Sequence, residues 1–161
     1  MIEKKIKELG YTLPETAKPL AAYIPAIRVG EFVYTSWQVP IVGGELKYKG
    51  KIGAYLTLED GQKASIICAL NGLSAIKGIV GDLNKIEQII KLTVFVNSAN
   101  GFTDQPKVAN GASEFLGSVF GDAGIHTRSA VGVSELPINS AVLWRWVAES
   151  SPSARFQRTR R

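Results

Sequence analysis

The residue best suited to chemistry in this chain is Arg128, at the head of the apolar run Ser129-Ala130-Val131-Gly132-Val133. A strand of that kind has no use for a charge at its start unless the charge serves a purpose. A planar, permanently ionised fork can donate two parallel hydrogen bonds to a carboxylate. The plainer reading is an ordinary interface arginine paired with an acid such as Glu114 or Glu135. His126 stands two residues earlier, where it could serve as a base or as a structural imidazole. No Ser-His-Asp or Cys-His set accompanies them. One cysteine, Cys68, and one histidine exclude an intrachain disulfide framework and leave a structural zinc site short of ligands. The glycines at 43-44 and at 78 and 81 carry no phosphate-loop pattern and read as turns. No metal or cofactor is expected.

The 161 residues, 45% of them hydrophobic, suffice for one domain with a substantial core. The net charge of +5 is concentrated: residues 151–161, SPSARFQRTRR, hold four arginines and no acid, which leaves +1 on the rest. A nucleic-acid binder would carry a basic face with stacking aromatics on its body. Here the arginines read as a solvated tail, so nucleic acid is not an expected partner. Mean hydropathy is +0.07, and no uninterrupted apolar run approaches the ~18 residues of a membrane span. The opening MIEKKIKELG is charged and lacks the apolar stretch of a secretory signal. With a single cysteine, this reads as a cytoplasmic protein without a membrane partner.

The elements that must position Arg128 follow from periodicity. Ile2, Ile6 and Leu9 predict a short amphipathic helix ended by Gly10, before a lead-in punctuated by Pro14 and Pro19. Ala26–Val29 and Phe32–Ser36 read as strands joined at Gly30-Glu31, and a short extended piece, Glu45–Lys49, follows the Gly43-Gly44 turn. Thr57 is a good N-cap, with Glu59 and Asp60 in the first turn of a helix reaching about Gly78. A strand at Ile86–Val96, a helix at Gln105–Phe120, and strands at Ser129–Val133 and Val142–Ala148 complete the order. The prediction is an α+β fold, a mostly paired sheet with two helices on one face, whose other face wants cover.

From Tyr23 to Glu149, and most specifically over Val94–Pro137, the chain resembles the RidA/YjgF family of reactive-intermediate deaminases. That resemblance implies a chorismate-mutase-like fold assembled as a homotrimer, with clefts between subunits. It also implies hydrolysis of small 2-imino or enamino acids of the 2-aminoacrylate type to 2-oxo acids and ammonia, without a cofactor. Arg128 falls on the substrate-clamping arginine. Tyr23 in AAYIPA, Ser36 in YTSWQVP and Asn110 in KVANGAS fall on cleft residues, Asn110 with one residue inserted before Arg128. Each has a plainer reading: an anchoring aromatic, a turn hydrogen bond and a helix-surface amide. The family often has a cysteine two residues after the arginine, where this chain has Ala130, and Cys68 reads as a core residue. The resemblance divides the chain into an N-terminal extension (1–22), a RidA-like domain (23–150) and a basic tail (151–161).

Two positions depart from the family pattern. Trp37 stands where a glycine lets backbone approach the substrate, and Leu143 stands where a glutamate positions water. Arg145 replaces the next acid on the same face, and Trp144 and Trp146 share the opposite face, where overpacking is expected. Loss of general acid–base help typically costs ~10²–10⁴-fold in rate, so impaired or altered activity is the expectation. The departures fit natural divergence toward another ligand or an altered C-terminal strand. The rival reading is a non-enzymatic trimeric scaffold in which Trp37 and the Trp-Arg-Trp strand make contacts, including contacts in a higher assembly. The ribonuclease activity attached to some relatives is disfavoured by the near-neutral body.

Overall fold

The computed structural model describes residues 1–16 and 22–152; most of the predicted basic tail lies outside them. In chain order the elements are α1 (Ile2–Glu8), β1 (Ala26–Val29), β2 (Phe32–Thr35), β3 (Ile41–Val42), β4 (Glu45–Leu46), α2 (Leu58–Val80), β5 (Ile86–Asn97), α3 (Gln105–Phe120), β6 (Thr127–Val133) and β7 (Val142–Ser150). The fold is α+β, as predicted. One difference is the β3–β4 hairpin around Gly43 and Gly44, both at positive φ. Its first strand, two residues long, is too short to leave a periodic signal.

The main sheet runs β1-β2-β7-β5-β6. Only β5 and β6 are parallel, because α3 carries the chain back across the sheet between them. The Thr57 cap forms as read. Its hydroxyl accepts the Asp60 N–H at 3.1 Å, and the Asp60 carboxylate accepts the Thr57 N–H at 2.9 Å.

Alternation assigns the two faces. Leu92, Val94 and Val96 of β5 pair with Trp146, Trp144 and Val142 of β7, and all six are fully buried beneath α2 and α3. The expected crowding of two indoles is relieved by small residues on α2, where Gly61, Ala64, Ser65, Cys68, Ala69 and Gly72 are all buried. An ideal Cβ at Gly72 would lie 2.8 Å from Trp146 Nε1, so the glycine is the notch that admits the ring. Neither indole N–H has a protein acceptor among the described residues, a desolvation cost accepted for the packing.

Although α2 is long and apolar enough to cross a membrane by length and composition, most of its apolar stretch is buried inside the protein. It is the core helix on which the sheet rests. The N-terminal segment straps across the helices: Ile6 is fully buried, Tyr11 meets Phe115 edge-on at 5.2 Å, and the Thr16 hydroxyl donates to the Ser74 carbonyl at 3.0 Å. The other sheet face is open. Ile27, Val29, Phe32, Tyr34 and Val131 are exposed on it to between 40% and 59%, an apolar stripe that none of the described residues covers.

Candidate functional site

Arg128 is the second residue of β6, opposite Leu92, so its side chain projects to the helix side at the edge of the sheet. There α3 meets it with Asn110 and Ser113, three apart and therefore on one helix face. The arginine Nη1 donates to Asn110 Oδ1 at 2.9 Å and to Ser113 Oγ at 3.0 Å. The acids offered by the plainer reading are elsewhere. Glu135 pairs with Lys51 at 3.3 Å, and Glu114 lines a groove beside Leu9 and Tyr11. Among the described residues no carboxylate neutralises Arg128, and its Nε and Nη2 make no hydrogen bond. The guanidinium is anchored at one corner by neutral acceptors and presents its Nε–Nη2 edge, the geometry that a carboxylate reads with two bonds.

His126 is half-buried beside it. Its Nδ1 lies 2.6 Å from the Gly124 carbonyl and its Nε2 lies 3.0 Å from Ser113 Oγ. A carbonyl can only accept, so Nδ1 carries a proton, and in the neutral ring Nε2 accepts from the Ser113 hydroxyl. Burial holds the imidazole below the ordinary histidine value, opposed by the Gly124 bond and assisted by the Arg128 charge. The neutral form is therefore the native one. Sequence reasoning passes over Ser113, whose only signal is its spacing of three from Asn110.

The remaining predicted site residues lie elsewhere in the chain. Tyr23 and Ser36 line a groove of about 340 Å³ with Ile24, Ile27 and Tyr34, at the β1–β2 edge. Tyr23 is 62% exposed. The Ser36 hydroxyl donates to the Ile24 carbonyl at 2.6 Å and its N–H to the Pro25 carbonyl at 2.8 Å, the turn bonding of its plainer reading. Arg128 and Asn110 are thus brought together, whereas Tyr23 and Ser36 sit at the opposite edge of a five-stranded sheet.

The model of the family described as "YjgF/chorismate_mutase-like, putative endoribonuclease" matches residues 3–150. The chain belongs to the YjgF family. Protein TCP17 of Trypanosoma cruzi is 42% identical over 144 residues, covering 88% of this chain and 89% of its own length. A crystal structure of a protein of unknown function from Agrobacterium tumefaciens is 38% identical, with a TM-score of 0.86, covering 92% of this chain and 91% of that one. More distantly, a 2-iminobutanoate/2-iminopropanoate deaminase of Dermatophagoides farinae is 28% identical over 129 residues, 80% of this chain and 86% of its own.

In this YjgF-family protein Trp37 does not stand in front of the Arg128 of the same chain. After β2 the chain bulges: Tyr34 pairs with Val147, but the next bridge joins Gln38 to Trp144, one residue out of step. Thr35 Oγ1 takes the Trp146 N–H at 3.0 Å that a regular ladder would give to a carbonyl. Trp37 then stacks on Phe95 at 4.9 Å, with the Arg145 guanidinium 5.6 Å from its ring. Phe95 pairs with Leu143, and both lie on the open sheet face, away from the face that Arg128 serves. Leu143 brings no group able to orient water.

Proposed function

We propose that this protein hydrolyses small carboxylate-bearing imines and enamines of the 2-aminoacrylate type to 2-oxo acids and ammonia, slowly for its family, in clefts between the protomers of a homotrimer. The observation that carries this reading is the Nε–Nη2 edge of Arg128, held by Asn110 and Ser113 with no acid beside it among the described residues. A substrate carboxylate on that edge fixes the adjacent imine carbon. An enamine first takes a proton at its methylene carbon, which makes it the imine. Water then adds: the C–O bond forms, the C=N π pair moves to nitrogen, and nitrogen takes a proton given up by the water. In the collapse of the adduct the O–H electron pair forms the C=O bond as the C–N bond breaks, and the hydroxyl proton leaves with nitrogen as ammonia. Little covalent apparatus is needed, and positioning supplies most of the help.

The separation of the site into two halves supports the intersubunit cleft. Tyr23 and Ser36 at the β1 edge would meet Arg128 only across a protomer boundary, and the apolar stripe on the open sheet face would gain its cover there. The similarity to a named deaminase agrees with the chemistry. Cytoplasmic metabolism is the setting this reading expects. Leu143 favours a second reading, a trimeric scaffold without turnover, in which the Trp37–Phe95–Arg145 stack makes contacts.

The test generates 2-aminoacrylate with a pyridoxal-phosphate-dependent dehydratase and follows the appearance of pyruvate. The unaltered chain is expected to accelerate the reaction, Arg128→Ala to abolish the effect, and Leu143→Glu, acting from the neighbouring protomer across the cleft, to raise it by up to ~10²-fold. No acceleration by the unaltered chain, with recovery in the Trp37→Gly/Leu143→Glu double variant, would establish the scaffold reading.

A further inference from the structure

We propose that His126 is a positioning residue for Arg128, acting through Ser113: the imidazole sets the direction of the serine hydroxyl, and the hydroxyl holds the guanidinium. This rests on the reading of Arg128 as a carboxylate clamp. A clamp arginine poses a conflict. Anchoring it with an acid would fix its place but would neutralise the charge that the ligand needs. Neutral acceptors avoid the conflict, but a serine hydroxyl rotates, and one that turns its hydrogen toward an arginine opposes it.

Here the hydroxyl has a fixed direction. Its proton goes to His126 Nε2 at 3.0 Å, which leaves a lone pair for Arg128 Nη1 at 3.0 Å. The ring's own direction is fixed by Nδ1–H on the Gly124 carbonyl at 2.6 Å. That carbonyl belongs to the turn Gly121–Gly124, which is seated firmly. Gln88 Nε2 donates to the Ala123 carbonyl at 3.2 Å and to the Ile125 carbonyl. A Cβ at Gly124 would lie 2.4 Å from the Leu116 carbonyl oxygen, so the turn backbone rests directly on α3. The bonds therefore run one way, from Arg128 to Ser113, to His126, to the Gly124 carbonyl. Each group in the chain uses the donor or acceptor that the next one lacks. Asn110, the other acceptor, needs no such partner, because its amide oxygen cannot donate.

The two ring nitrogens can be tested separately. Pyruvate, the product, serves as the probe, titrated calorimetrically into the trimer or whatever assembly the purified chain forms. His126→Asn keeps a donor near Nδ1 for Gly124 and removes the acceptor for Ser113. His126→Gln keeps an acceptor near Nε2 and gives up the Gly124 bond. The proposal expects His126→Asn and Ser113→Ala each to weaken pyruvate binding about tenfold, and His126→Gln to stay within about threefold of the unaltered protein. The Ser113→Ala/His126→Asn double variant should be no weaker than Ser113→Ala alone, because both act on one bond. In turnover of 2-aminoacrylate the loss should fall on KM with kcat little changed, which misfolding would not produce. The reverse order, His126→Gln weak and His126→Asn unaffected, would mean that the ring serves only to pin the turn, and would overturn the proposal. So would additive losses in the double variant. Pyruvate binding that weakens with Arg128→Ala but ignores His126 and Ser113 overturns this proposal alone. Binding indifferent to Arg128 overturns the clamp reading and this one with it.

Discussion

Gly111 and Gly117 lie on the same helix, α3, and replacing each by alanine should have opposite signs. Helix propensity alone favours alanine over glycine by ~1 kcal/mol at both. At Gly117 a Cβ would meet nothing within 4 Å, so that gain should appear. At Gly111 the Cβ would lie 2.5 Å from the Gln62 carbonyl oxygen and 2.8 Å from Gln62 Cα, about 0.9 Å short of ordinary contact at 3.4 Å. Those atoms are the backbone of α2, which cannot swing aside as a side chain could, so α3 must retreat. Overpacking of this kind costs ~1–3 kcal/mol, and a clash with backbone belongs at the upper end. Setting the propensity gain against it leaves Gly111→Ala destabilised by ~1–2 kcal/mol. Urea unfolding with an unchanged slope would read both effects as midpoint shifts. The same retreat would carry Asn110 and Ser113 away from Arg128, so pyruvate binding should weaken in Gly111→Ala and not in Gly117→Ala. A Gly111→Ala midpoint equal to or above that of the unaltered protein would refute the claim that the α2–α3 contact is set by backbone touching backbone.

Two further outcomes follow from the titratable groups. His126 is held below its ordinary value in the fold, so between that lowered value and the unfolded value near ~6.5 the unfolded chain binds the extra proton. Stability is therefore fully present above the unfolded value and falls as the pH drops below it; urea midpoints at about pH 7.5 and 5.5 should differ, and His126→Gln should shrink the difference. Cys68 is fully buried and burial pushes its thiol well above the usual range, so it should resist alkylation in the native protein and react only on unfolding. Rapid native labelling would show that α2 opens.

Much of the fold was legible because local rules and burial agree in it. The Thr57 cap, the 3.6-residue periodicity of α2 and α3 and the β-branched run of β5 each specify their element without outside help. Elements too short to repeat a pattern, such as Ile41–Val42, left no such trace. Overpacking of Trp144 and Trp146 was the natural reading of one strand by itself. The strand says only that two indoles share a face; whether they fit depends on Gly72, seventy-odd residues away in sequence and in contact only after folding.

The candidate site divides the same way. By itself the sequence determined that Arg128 is a charge at a strand head and that one cysteine and one histidine are too few for a disulfide framework or a zinc site; the reading of Trp37 and Leu143 as departures came only from the family resemblance. Only the tertiary structure decided that Arg128 has amide and hydroxyl partners instead of an acid, that Ser113 and His126 stand behind it, and that Trp37 lies on the other side of the sheet. The physical reason is that a side chain's type is fixed by the gene, whereas its ionic surroundings are fixed by which strand edge and which helix face the fold brings within three ångströms of it.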